Sequence, residues 1–138
     1  MGRIDNRIET VSHNNAHRLL VKCMTLQVPL SAKAMLNSEA RNWQVIYLSN
    51  GAFYVSPAHT REVFCVSRAK QFPRELYVTA KQLGIAVTLK SLDGLIHELN
   101  DRTDLAQTIV QYLNRLYAYK RQLTRDAEMI DHLSQAML

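Results

Sequence analysis

The residues of this chain that could do chemistry are few and widely spaced. His13 and His17 stand four apart, a separation that turns two imidazoles toward one ion on a helix, but no Glu follows His13 and no third ligand is spaced to complete a site. Cys23 and Cys65 are isolated, without CxxC spacing or a nearby His/Cys cluster, and read as small buried apolar side chains. Ser49, Ser56 and Ser67 lack a G-x-S-x-G elbow, and no glycine-rich phosphate loop precedes a helix. His59 and His97 have neither a nucleophile nor an orienting carboxylate at a recognisable spacing. The expectation is a protein that works by binding, with no catalytic residue, metal or cofactor. A hydrolase assembled from distant residues is the weakest alternative.

Two groups of residues suit contact better than catalysis. Arg115, Lys120, Arg121 and Arg125 gather near the end of a long helical stretch, with Tyr117 and Tyr119 among them. Cations at a helix C-terminus are stabilised by the macrodipole at about 0.3–1 kcal/mol each, which is sufficient for most of them. Their functional alternative is contact with nucleic acid or an acidic protein surface, with rings or bases stacking on tyrosine. The second group, Tyr47 and Tyr54, forms a cross-strand pair in the expected hairpin. It is either an exposed aromatic patch or, because Val45 beside it would otherwise be exposed, a second face covered by a helix.

Charge narrows the partners. Lys and Arg number 17 against 12 Asp and Glu, for a net charge of +5 and a pI near 9.4. A protein imitating DNA must reproduce about one negative charge per 1.7 Å of duplex axis, so DNA mimicry is excluded. No apolar run approaches the roughly 20 residues that span a bilayer, and the N-terminus lacks a signal-peptide core, which gives the expectation of a cytoplasmic protein without a membrane partner. At 138 residues one domain is expected, with residues 1–14 a polar arm and residues 15–138 a single fold.

The elements that must hold these groups centre on residues 43–57. Asn50-Gly51 between two β-rich runs predicts a two-residue type I′ hairpin in which Leu48 faces Phe53, Tyr47 faces Tyr54, Ile46 faces Val55 and Val45 faces Ser56. In that register Ile46, Leu48, Phe53 and Val55 form an all-apolar face, which argues that the register is firmly specified. Residues 61–67 alternate well enough to add a third strand and make a meander. Residues 68–74 read as a loop.

Before the hairpin, residues 17–26 place Leu19, Leu20, Cys23, Met24 and Leu26 on a short amphipathic helix, Pro29 ends it or starts the next element, and Ser31 caps a second short helix. After it, Thr79 and Gln82 fit a capping box opening a helix with the stripe Ile85, Leu89, Leu92, Ile96 and Leu99. Gly84 and Gly94 each cost that helix roughly 1 kcal/mol relative to Ala, which predicts close packing of its backbone on the sheet. A second long helix, capped by Thr103 or Asp104, carries Leu105, Ile109, Tyr112, Leu116, Tyr119 and Leu123 and packs beside the first. A short helix with Met129, Ile130, Leu133, Ala136 and Met137 closes the chain. The fold expected is α+β: a three-stranded antiparallel meander packed against two long helices, with shorter flanking helices.

Trp43, Tyr47, Leu48, Ser49, Asn50, Gly51, Phe53, Tyr54 and Pro57, with Ala52 at a second glycine, match the central segment of the ArdB/KlcA antirestriction proteins. Glu75, Leu76, Tyr77, Thr79, Ala80, Gly84 and Ile85 echo a second family segment, and Tyr112, Arg115, Tyr117 and Ala118 a third. The chain thus resembles that family over residues 43 to about 120. The resemblance implies a non-enzymatic protein of a plasmid, prophage or other mobile element that inhibits host type I restriction without DNA mimicry, by hindering the DNA-translocating complex. It makes the restriction complex the expected partner, with DNA contact as a further expectation. The alternative function is a small basic nucleic-acid-binding regulator. Of the motif residues, Trp43, Leu48, Ser49, Asn50, Gly51, Phe53, Pro57, Thr79 and Gly84 have structural duties, which leaves Tyr47, Tyr54, Arg115, Tyr117, Lys120 and Arg121 as the candidate contact surface. If the chain associates with itself, a symmetric homodimer is the commonest arrangement.

Overall fold

The computed structural model describes residues 3–7, 15–36, 40–58, 63–66, 76–99 and 103–136. In chain order the elements are β1 (Asn6–Arg7), α1 (Asn15–Lys33), β2 (Trp43–Leu48), β3 (Phe53–Pro57), β4 (Val63–Val66), β5 (Leu76–Thr79), α2 (Ala80–Leu99), α3 (Thr103–Gln122) and α4 (Ala127–Ala136). The fold is α+β, with four helices and two short antiparallel sheets, ordered β1–β2–β3 and β4–β5. His13, His59, Ser67 and the expected loop at 68–74 lie outside the described residues.

Helix α2 is the centre of the molecule. Leu83 through Leu89 are buried without interruption, so the helix is enclosed all round over two turns. The expected stripe is only part of this: Ile85, Leu89 and Leu92 are buried, and Ile96 and Leu99 pack half-buried against the core. Its start is the capping box read from the sequence. The Gln82 backbone N–H donates to the Thr79 hydroxyl at 3.1 Å, and the Gln82 side chain accepts from the Thr79 backbone N–H at 3.0 Å.

Gly84 sets how closely α2 lies on β3. A Cβ there would stand 2.3 Å from the Ser56 Cβ and 2.8 Å from the Val55 carbonyl oxygen. At this closeness Thr88, itself fully buried, reaches the strand backbone: its Oγ1 accepts from the Val55 N–H at 3.0 Å and donates to the Val55 carbonyl at 3.4 Å. The outer edge of β3 is therefore sealed by a helix rather than by another strand. That seal overturns the expected meander. Val63–Val66 pairs instead with β5, in the register Phe64↔Val78 and Cys65↔Tyr77, and forms a separate ribbon leading straight into α2.

The hairpin is present, but its turn and register differ from the expectation. Strands β2 and β3 pair Tyr47 with Phe53, Ile46 with Tyr54, Val45 with Val55 and Gln44 with Ser56, one residue away from the two-residue-turn register. The Gly51 N–H donates to the Leu48 carbonyl at 3.0 Å and the Leu48 N–H to the Ala52 carbonyl at 2.9 Å, closing a three-residue loop. Gly51 alone in it has positive φ, +91°, the left-handed residue that follows a type I turn in such loops; Asn50 does not. The sorting of apolar residues failed as a guide because every residue of β3, from Phe53 to Pro57, is buried. A strand covered on both faces tolerates either register as far as hydrophobic pattern is concerned.

The N-terminal segment is also built in. Asn6 and Arg7 pair with Leu48 and Tyr47, and the Gln122 side chain clamps Ile4 by accepting from its N–H at 3.0 Å and donating to its carbonyl at 2.9 Å. Helix α1 runs through Pro29 as one helix, where two short ones were expected. Proline costs an internal hydrogen bond, but the fully buried Val28 and Ala32 on either side hold the helix against the core. Leu20, Met24, Val28 and Ala32 face inward, whereas Leu19, Cys23 and Leu26 of the expected apolar face point out. Helix α3 packs beside α2 through Ile109, Leu113, Leu116 and Tyr119, and α4 closes the core with Ile130 and Leu133.

The two glycines of α2 give a paired test. Gly94 has nothing within 4 Å of where its Cβ would stand. Gly84→Ala should destabilise the protein in chemical denaturation by about 1–3 kcal/mol through overpacking. Gly94→Ala should leave stability unchanged or raise it by up to about 1 kcal/mol.

Candidate interaction surface

The hairpin tip and α3 are held together by one side chain. Asn50 accepts from the Ala52 N–H through Oδ1 at 3.1 Å, the local bond that favours Asn in turns, and donates from Nδ2 to the Arg115 carbonyl at 2.9 Å. Arg115 then lies across the tip, its Nη1 3.1 Å from where a Cβ on Gly51 would sit and its guanidinium carbon 5.9 Å from the Tyr112 ring centre. Gly51 is thus required twice, for its positive φ and for the space under Arg115.

Beneath Arg115 four elements meet in an aromatic cluster. Tyr112 of α3 packs edge-on to Phe53 of β3 at 5.7 Å, and its hydroxyl is 2.5 Å from Nδ1 of the buried His17 of α1. The His17 ring lies 6.1 Å from Phe53 and 6.4 Å from Tyr47, the latter stacked. His17 is therefore part of the core packing. Among the described residues no three His, Cys, Asp or Glu side chains come together as a metal site.

The six residues expected to form a contact surface separate into three groups. Tyr47 and Tyr54 do not face each other; Tyr47 is half-buried in the cluster just described, and Tyr54 is completely buried. Tyr54 stacks on Tyr119 at 6.2 Å, with the Lys81 ammonium 5.3 Å from the Tyr119 ring centre. Burial, with smaller contributions from Tyr119 and Asp126, holds the Tyr54 hydroxyl well above the usual tyrosine range, so it stays neutral. The one-residue register difference puts the two rings on opposite faces, where each meets a helix: Tyr47 meets His17 of α1 and Tyr54 meets Tyr119 of α3.

Tyr117 and Lys120 are engaged between helices. The Lys120 ammonium bonds the Asp131 carboxylate of α4 at 2.6 Å and lies 5.2 Å from the Tyr117 ring centre. Tyr117 also lines a cleft of about 230 Å³ with Leu89, Lys90, Asp93, Ser134 and Gln135. Arg115 and Arg121 of α3 are both exposed, about a third of a turn apart around the helix, and Arg125 follows just beyond its end, also exposed. Six residues apart on one helix, Arg115 and Arg121 stand about 9 Å apart along its axis. Exposed guanidinium groups offer paired donors to carboxylate or phosphate oxygens.

Gln122 and Thr88 are positioning residues that the sequence did not single out, and Asn50, expected in the turn, has a second duty beyond it. Gln122 and Asn50 act through side-chain bonds to distant backbone, which no local spacing announces. Thr88 did carry a signal, as the one hydroxyl within the apolar run Ile85-Ala86-Val87-Thr88-Leu89.

A model of the antirestriction protein family matches residues 37–133. The chain belongs to the antirestriction protein family. A comparison with curated proteins finds no match. The matched span takes in the hairpin, the second ribbon, α2, α3 and most of α4, and begins after α1. The residues through which this chain resembles the ArdB/KlcA segment are largely structural: Trp43 donates its indole N–H to the Ala40 carbonyl at 3.2 Å, and the Ser49 hydroxyl accepts from the Asp5 N–H at 2.9 Å. Leu48, Phe53 and Pro57 are buried, and Thr79 and Gly84 start and seat α2. No described helix of this antirestriction family member is long and apolar enough to cross a membrane.

Asn50→Ala tests the latch. It should lower the thermal midpoint by an amount equivalent to about 1 kcal/mol, because two side-chain bonds at a partly exposed site are lost. Arg115→Ala, which leaves the accepting carbonyl in place, should change stability by less than about 0.5 kcal/mol.

Proposed function

We propose that this antirestriction family member belongs to the ArdB/KlcA branch and protects incoming DNA from a host type I restriction system. It acts in the cytoplasm as a binding protein, without catalysis and without a cofactor, on behalf of a mobile element. The observation that carries this reading is a net charge of +5 in a chain of an antirestriction family. Inhibitors that occupy a DNA site by imitation need a dense array of carboxylates, and this chain has the opposite balance. Inhibition then comes from contact with the restriction complex itself, hindering its movement along DNA.

The exposed guanidinium groups of Arg115 and Arg121 are the part of α3 we assign to that contact. Their neighbours Tyr117 and Lys120 are committed to holding α4, and Tyr54 to the core. An acidic surface on the restriction complex would meet Arg115 and Arg121 without disturbing the fold.

The test is the plating of unmodified phage on cells with an active type I system, with and without the protein, beside an isogenic strain lacking that system. The wild-type protein should raise plating only where the system is present. The Arg115→Glu/Arg121→Glu variant, with unchanged thermal stability, should lose that protection by about tenfold or more. No rescue by well-expressed wild-type protein would sink the antirestriction reading for this chain. Steeply salt-dependent binding to duplex DNA, without rescue, would instead mark a nucleic-acid-binding regulator.

A further inference from the structure

Helix α1 precedes the matched family span and carries a second apolar face with no cover among the described residues. Leu19, Leu26 and Leu30 are 67%, 65% and 66% exposed, and Cys23 between them is also exposed. Their spacing of four, three and four residues forms a straight seam on the side of α1 turned away from its buried residues Leu20, Met24 and Val28. Three leucines this exposed on one seam are unusual for a surface that faces only water.

What flanks the seam identifies what would cover it. On one side stand Arg18, Lys22 and Lys33, all exposed, and α1 contains no Asp or Glu at all. On the other side α1 and α2 leave a groove of about 200 Å³, lined by uncharged residues such as Cys23, Gln27, Ser31 and Gly94 together with one cation, Lys90, and one carboxylate, Glu98. Gly94 is exposed in mid-helix with empty space over its Cα, so its cost to α2 of about 1 kcal/mol has no compensation among the described residues. A second copy of α1 packed antiparallel would set cation against cation along the seam, and a flat bilayer would not fill a groove beside it.

We propose that the α1 seam and the adjoining α1–α2 groove form a docking site for an acidic amphipathic helix of a partner protein. The apolar side of that helix covers Leu19, Cys23, Leu26 and Leu30, its carboxylates meet Arg18, Lys22 and Lys33, and its backbone approaches Gly94. This site is separate from Arg115 and Arg121 and does not rest on the restriction reading.

The experiment uses the full chain and two labelled synthetic amphipathic helices with the same leucine seam, one flanked by Glu and one by Lys, followed by fluorescence anisotropy. The Glu-flanked peptide should bind at least about tenfold more tightly than the Lys-flanked one, and Leu26→Glu and Arg18→Glu/Lys22→Glu should each weaken it by about tenfold or more. Both variants change exposed positions, and circular dichroism should show them folded as the wild type is. Equal binding of the two peptides, or binding of neither, overturns the proposal. So does a wild-type dimer in sedimentation that Leu26→Glu dissolves, or binding to vesicles of phosphatidylcholine and phosphatidylserine in place of the peptide.

Discussion

The structure depends on the contact between the outer edge of β3 and the middle of α2. A strand edge presents unpaired N–H and C=O groups that must find partners if they are buried. Here the Val55 N–H and C=O both meet the Thr88 hydroxyl, and the approach that allows this requires no side chain at Gly84. An unpaired pair of backbone groups at this depth would cost about 1–3 kcal/mol apiece, a large share of the stability of an ordinary domain. With the edge closed by a helix, β3 becomes a buried strand, and α1, α3, α4 and the second ribbon can gather around α2.

The family motif takes on a different meaning in this setting. Residues 43–57 are distinctive because the hairpin is the piece on which other elements converge: β1 on one edge, α2 on the other, α1 and Tyr112 of α3 at Phe53, and Tyr119 of α3 at Tyr54. Asn50 and Gly51 would serve any hairpin, yet here Asn50 ties the tip to the Arg115 carbonyl and Gly51 makes room for the Arg115 side chain. Motif residues thereby determine where an exposed cation sits. The aromatic pair that drew attention in the sequence, Tyr47 and Tyr54, belongs to two opposite faces of the same strand pair, both of them packed.

How much of this was legible in the sequence follows from the range of each interaction. The capping box at Thr79 and Gln82 involves residues three apart, and it was read correctly. The two long helices after it, with Ile85, Leu89, Leu92 and Ile109, Leu116, Tyr119 in the core, followed from periodicity. Close packing at Gly84 was anticipated and is present; the same argument applied to Gly94 was not met. Where the outcome depended on tertiary partners, local rules misled. Pro29 did not stop α1, because burial on both sides of it outweighs one lost hydrogen bond. The hairpin register could not be read from apolar sorting, because β3 has no solvent face. The third strand was given to an edge that a helix already held. Of the candidate surface, the cations of α3 were visible as a group, but only the tertiary structure separates Arg115 and Arg121 from Lys120, which is tied to Asp131.

Amide hydrogen exchange at Val55, in the wild-type protein and in Thr88→Val, examines the closure of the β3 edge most directly. Thr88→Val keeps the shape of the side chain and removes the hydroxyl. The Val55 amide should lose protection selectively, while Tyr54 and Ser56, whose strand partners are Ile46 and Gln44, keep theirs apart from a uniform loss of about 1–3 kcal/mol in global stability. Unchanged protection at Val55, or an equal fall at all three amides, would contradict this closure of the edge.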